Sequence, residues 1–216
     1  MTQPTVLDII RSTGVIAILR AKSSEQLLRA AEALHAGGIS AIEVALTTPG
    51  ALEVIAQAAA RFQGSGVAFG AGTVLDAHSA RNAIQAGAQF IVAPNFKPVV
   101  IKVCRRYAVP VLPGAYTPTE IVAAWEAGAD MVKVFPASVG GPGFIQALKS
   151  PLPQVALVPV GGVTLENAAA FIRAGASAIG VGSELVDAKT LASQAWDALA
   201  ERAGRFITEV QRARLE

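Results

Sequence analysis

The 216-residue chain has a single cysteine, two histidines, two tryptophans and two tyrosines. One thiol, Cys104, excludes an internal disulfide framework and suits a reducing, cytoplasmic setting. Its neighbours Lys102 and Arg105 share a helical segment with it, where it reads as inert packing. The two histidines, His35 and His78, offer no shared ligand spacing, so no metal and no cofactor is expected. No run of 18 or more apolar residues occurs, and a membrane span is therefore not expected. The opening MTQPTVLDIIRSTG lacks the basic-then-apolar order of a signal peptide. Charged residues are only 16% of the chain and the net charge is +2. The arginine-rich end, ERAGRFITEVQRARLE, is interleaved with glutamates and reads as a solvated helix face, not a nucleic-acid surface. No GxGxxG fingerprint and no Ser-His-Asp motif is present.

What the chain does have is a 52% hydrophobic composition, enough for a large core. It also has a repeat. HAGGISAIEVAL, QAGAQFIVAP, EAGADMVKVF and RAGASAIGVG each end a helix in Ala-Gly and pass into a strand. Glycine just past a helix fits a left-handed C-cap. The glycines at 37, 87, 128 and 175 lie 50, 41 and 47 residues apart, room for two strand-helix units in each gap. Strands at 15–20, 67–72, 109–114 and 155–162 fill those gaps. Helices are predicted over 24–36, 50–62, 76–86, 98–107, 118–127, 141–149, 164–174 and 190–212, with a short extra one over 4–12. Apolar strands with no polar face imply a parallel sheet covered by helices. Eight such units predict one α/β domain over 1–216, a (β/α)₈ TIM barrel with a short N-terminal helix.

In that fold chemistry sits at the carboxyl ends of the strands. Side chains alternate along a strand. Val132 and Val134 suit the helix side, which aims Lys133 inward with Met131 and Phe135. By the same alternation Ile42, Val44 and Leu46 face the helices, and Glu43 points inward between Ala41 and Ala45. One reading is a buried Lys133–Glu43 ion pair that fills the interior, a weak source of stability. The other is covalent catalysis. Burial favours the neutral amine of a lysine, which can attack a ketone and form a Schiff base, with Glu43 shuttling protons.

Two glycine-bearing loops follow the seventh and eighth strands, around Gly161-Gly162 and around Gly182-Ser183. Backbone N–H groups at such places bind phosphate. Arg20 ends the first strand, within reach of the same anion or a carboxylate; a surface salt bridge is its other reading. Thr73 is placed to bind a carboxylate or to cap the next helix, a role that Asp76 fits better. Pro94 and Phe135 supply rigid, partly apolar walls.

Taken in order, Glu43-Val44, GAGTVL (70–75), Pro113-Gly114, Lys133-Val134-Phe135-Pro136 and Gly161-Gly162-Val163 resemble the 2-keto-3-deoxy-6-phosphogluconate / 4-hydroxy-2-oxoglutarate aldolase family. The resemblance runs from about Gly14 to Leu185. It implies a class I aldolase on a (β/α)₈ barrel, forming homotrimers and acting on a phosphorylated keto-sugar acid and pyruvate. It matches Lys133 to the Schiff-base lysine, Glu43 to the general acid/base and Thr73 to a pyruvate-carboxylate contact. Gly161, Gly162 and Ser183 match the phosphate loops. Thr47 stands where phosphogluconate-type members carry a substrate-holding arginine, and Arg20 is the candidate replacement charge. Val160 stands where those members often have threonine, closer to the phosphogalactonate branch. The expected reaction is cleavage of 2-keto-3-deoxy-6-phosphogluconate to pyruvate and glyceraldehyde 3-phosphate. The phosphogalactonate epimer and 4-hydroxy-2-oxoglutarate are alternative substrates. A phosphate-binding barrel isomerase or epimerase, or a non-catalytic phosphosugar-binding protein, would share the glycine loops without needing the imine.

Overall fold

The computed structural model describes residues 4–20 and 23–216. Helix α1 (Val6–Thr13) comes first. Its start is a capping box: Asp8 N–H donates to the Thr5 hydroxyl at 3.2 Å, and Thr5 N–H donates to the Asp8 carboxylate at 3.0 Å. Strands and helices then alternate as β1 (Val15–Leu19), α2 (Ser24–Ala36), β2 (Ala41–Ala45), α3 (Ala51–Arg61), β3 (Ala68–Gly72), α4 (Ala77–Gln85), β4 (Phe90–Val92) and α5 (Pro98–Arg106). The second half runs β5 (Val111–Leu112), β6 (Gly114–Ala115), α6 (Pro118–Glu126), β7 (Val132–Val134), α7 (Gly141–Lys149) and β8 (Leu157–Pro159). It ends with α8 (Leu165–Arg173), β9 (Ile179–Val181), α9 (Ala188–Ala192) and α10 (Trp196–Leu215). No helix among the described residues is long and apolar enough to cross a membrane.

All recorded strand pairs are parallel. Six strands pair in the order β5-β4-β3-β2-β1-β9, and three in the order β6-β7-β8. Every strand but β5, which passes through Pro113 into β6, leads into a helix, and the helices cover the outer face of the strands. Val15, Ala17 and Leu19 of β1 pack outward with Ile42, Val44, Val132 and Val134 against the helices. Ile16 and Ile18 turn inward and join Phe90, Leu112, Met131 and Val158 in a second cluster drawn from both sheets. The sheets thus curl around one interior. Ile10 of α1 enters that cluster and is fully buried. Cys104 packs in the outer layer, where burial pushes its thiol up to about 12.

The sequence-based boundaries need three corrections. The fifth strand, expected over 109–114, is two short strands on either side of Pro113. Proline has no N–H to give a ladder. Its carbonyl turns to accept Lys133 N–H at 2.9 Å, so β5 pairs with β4 while β6 pairs with β7. The last helix, expected over 190–212, is broken into α9 and α10, because Gln194 adopts φ 52°, which no right-handed helix accommodates. In the first Ala-Gly repeat, Gly37 has φ −81° and Gly38, at φ 93°, takes the left-handed position. Gly87, Gly128 and Gly175 are left-handed as the repeat implies.

Gly37 is glycine for a different reason. A Cβ there would run into the Ala200 carbonyl and the Ala203 methyl, where α10 crosses the end of α2. Gly37→Ala is expected to cost about 1–3 kcal/mol by overpacking. Urea denaturation measures it, and an unchanged midpoint at unchanged slope would show that the two helices spread freely.

Candidate active site

The strand ends converge on a cavity of about 340 Å³. Glu43 and Lys133 form part of its lining, 3% and 6% exposed. Alternation puts them there. Their strand neighbours Ile42, Val44, Val132 and Val134 are taken up by the outer core, which leaves the inner face for the polar side chains. Across the ladders Lys133 pairs with Gly114 and Val158, and Glu43 with Ile18 and Gly70. Room for the carboxyl comes from Gly72, where any Cβ would collide with Glu43. Gly70 in turn makes way for the Phe90 ring.

Among the described residues no direct ion pair joins Lys133 and Glu43. The ammonium lies 5.1 Å from the centre of the Phe135 ring, a cation–π distance. Burial raises the Glu43 carboxyl above the ordinary carboxylate range, and the charges of Lys133 and Arg20 only partly oppose this. A carboxyl tuned upward in this way can both take and return a proton nearer neutral pH.

Thr73 follows β3 with φ 59°, an uncommon conformation for a β-branched residue and a mark of local strain. It lines the cavity. Capping does not require it, since Asp76 accepts Ser79 N–H at 2.8 Å and starts α4. Pro94 and Phe135 form walls, as expected.

At the other end lie Gly161 and Gly162, with φ 87° and 75°. Their carbonyls are tied back: Gly161 O accepts Ser138 N–H at 2.8 Å, and Gly162 O accepts the Asn167 amide at 2.9 Å. The Asn167 carbonyl oxygen accepts Thr164 N–H at 2.8 Å, opening α8. The Gly162 and Ser183 N–H groups donate to no other group among the described residues. Ser183 and Arg20 line the same end, and the Arg20 guanidinium lies beside Gly182. Bare N–H groups, a hydroxyl and a guanidinium together suit a phosphate.

Every candidate residue named from the sequence therefore borders this one cavity, except Thr47. Thr47 is exposed and outside the lining; its neighbour Thr48 is buried. The lining also includes Ile18, Val163, Gly180 and Glu184, which the sequence reading did not single out as site residues. Ile18 was recoverable from alternation along β1. Glu184 carried no signal beyond its place after Ser183.

A buried lysine and a buried carboxyl over an anion cradle, at the carboxyl ends of parallel strands, define the class I, Schiff-base-forming aldolases. The chain belongs to the KDPG and KHG aldolase family, whose profile matches residues 6–202. It is 38% identical over 190 residues to 2-dehydro-3-deoxy-phosphogluconate aldolase of Treponema pallidum, covering 88% of this chain and 90% of that one. It is also 38% identical over 200 residues to 2-dehydro-3-deoxy-6-phosphogalactonate aldolase of Escherichia coli, covering 92% and 95%. The fold superposes with a TM-score of 0.84, at 26% identity and over 94% of this chain and 98% of the other, on KDPG aldolase from Legionella pneumophila with pyruvate captured at low pH as a covalent carbinolamine intermediate.

The raised Glu43 carboxyl gives a signed pH prediction. Its folded value lies above its unfolded one, so its favourable contribution is present below the unfolded pKa and is lost as pH rises through the folded one. Glu43→Gln removes the cost of burying the anion. Its melting temperature, relative to the parent, should climb over that pH window while kcat falls roughly 10²–10⁴-fold. A stability difference flat with pH would contradict the burial argument.

Proposed function

We propose that the protein is a single-domain (β/α)₈ barrel that cleaves 2-keto-3-deoxy-6-phosphogluconate reversibly to pyruvate and glyceraldehyde 3-phosphate. The observation that carries this reading is the meeting of Lys133 and Glu43 with the Gly161, Gly162, Ser183 and Arg20 cradle in one cavity. Closure of the barrel is supported by the shared interior, by β5 and β6 flanking Pro113, and by a parallel bridge between Val160 and Gly180 that joins the other edges.

In this reaction the Lys133 amine adds to the C2 ketone, and a proton given by the Glu43 carboxyl carries the carbinolamine hydroxyl away as water, leaving a protonated imine and a Glu43 carboxylate. Glu43, as carboxylate, takes the proton from the C4 hydroxyl as the C3–C4 bond breaks. The electron pair of that bond flows into the imine and gives an enamine, and the aldehyde departs with its phosphate. Reprotonation at C3 and hydrolysis of the imine release pyruvate and free the lysine. Thr73 holds the carboxylate end, and the glycine loops with Ser183 and Arg20 hold the phosphate. Binding energy at that remote anion then orients the reacting carbons. Pro94 and Phe135 limit water around the imine. Thr47 has no substrate contact in this scheme. The family resemblance extends the reading to a cytoplasmic homotrimer.

A second reading, the phosphogalactonate epimer as substrate, is favoured by Val160. This side chain lines the cavity and is buried, and it presents methyl groups where a hydroxyl would discriminate at a substrate hydroxyl.

Incubation with pyruvate and borohydride, followed by intact-mass measurement and peptide mapping, should show a stable adduct on Lys133. Lys133→Met should lose turnover by at least about 10³-fold while still folding. No adduct would favour a phosphate-binding isomerase or epimerase instead. Rates with the two sugar-acid epimers and with 4-hydroxy-2-oxoglutarate then choose the substrate.

A further inference from the structure

The phosphate end of the cavity depends on a loop that has no support from within the strands. Gly182, Ser183 and Glu184 enter the lining just after β9. Leu185 and Val186 N–H groups both fold back onto the Gly182 carbonyl, at 3.0 and 2.9 Å, which makes the loop a tight turn. What holds the far side of that turn is Arg202, from the second turn of α10. Its Nη1 donates to the Leu185 carbonyl at 2.9 Å and to the Asp187 carboxylate at 2.6 Å. Its Nη2 donates to the Thr190 hydroxyl at 3.3 Å. Asp187 meanwhile accepts Thr190 N–H at 2.7 Å and the Thr190 hydroxyl at 2.6 Å, as the N-cap of α9. Arg202 and Asp187 side chains are only 30% and 35% exposed, and Arg202 itself does not border the cavity.

Resting on the aldolase reading above, we propose that Arg202 is a positioning residue for phosphate recognition, its guanidinium fork holding the Leu185 carbonyl and Asp187 so that Ser183 and its neighbouring N–H groups face the anion. The geometry supports this over a general packing role. Every polar contact of Arg202 among the described residues falls on the six residues that follow Glu184, and its partner Leu185 is two residues from Ser183. A planar fork suits three acceptors in fixed directions, which an ammonium cannot match. The contacts of Asp187 hold its carboxyl well below the usual carboxylate range, first through Thr190 and then through Arg202, so the clamp stays charged through neutral pH.

The test separates phosphate recognition from chemistry. For Arg202→Gln, KM for the phosphorylated sugar acid should rise about tenfold, the loss expected from one charge-assisted anchor, with kcat changing less than about threefold. The unphosphorylated sugar acid and the rate of pyruvate trapping by borohydride should be much less affected. Binding of inorganic phosphate, read by titration calorimetry, should weaken in parallel. Arg202→Lys should fall between the two proteins. If the ratio of kcat/KM for phosphorylated over unphosphorylated substrate stays unchanged, or both substrates suffer equally, the proposal is overturned. Should Arg202→Gln fail to fold, the ratio in Arg202→Lys decides by the same criterion. Failure of the parent protein itself to trap pyruvate would overturn the aldolase reading instead, and phosphate binding to the parent and variant would still judge Arg202.

Discussion

The rest of the structure is organised around keeping two ionisable side chains in an apolar interior. A carboxyl and an ammonium on the inner face of parallel strands cost solvation that isolated side chains cannot recover. The surroundings of Glu43 and Lys133 are arranged accordingly. Gly72 gives the carboxyl its space, Gly114 and Val158 flank the lysine across its ladders, and the Phe135 ring lies near the ammonium. The outer core, rich in small and β-branched residues, absorbs the other face of the same strands. The pair is held in tension, since burial acts against ionisation of Glu43 while Lys133 and Arg20 favour it.

Much of this was legible in the sequence because it follows from short periods. A period of two assigns Lys133 and Glu43 to the inner face whatever the details of the fold, and Val132 and Val134 to the outer one. Helix starts were legible where a capping residue and its partner stand three apart, as at Thr117 and Glu120 or Asp76 and Ser79. Where no period operates, the sequence carries less. Thr47 lies in the turn after β2, whose side-chain directions no alternation governs, and it faces solvent. Gln194 interrupts a stretch of good helix formers with a conformation that glutamine does not advertise. In the HAGG repeat, two adjacent glycines have different tasks, one set by backbone geometry and one by the approach of a distant helix. That second task is a long-range contact, and a local pattern does not contain it.

The two ends of the cavity are built differently. The lysine and glutamate are fixed by strands, so their placement inherits the regularity of the sheet. The anion end is made of turns, and turns need ties: Asn167 across the Gly162 carbonyl, Arg202 across the Leu185 carbonyl. Both ties come from helices outside the interior, α8 and α10. The glycine-loop end therefore draws on the outer layer, whereas Lys133 and Glu43 draw on the strands.

The break at Pro113 has a consequence for how the molecule holds together. Glu43, Thr73 and Pro94 come from the six-stranded sheet or the turns leaving it, while Lys133, Phe135, Gly161 and Gly162 come from the three-stranded one. The site is thus an interface within a single chain, and a molecule gripped from both sides is a cross-link between the sheets. Its binding free energy is then also cohesion, added at the seams where the strand ladder is thinnest.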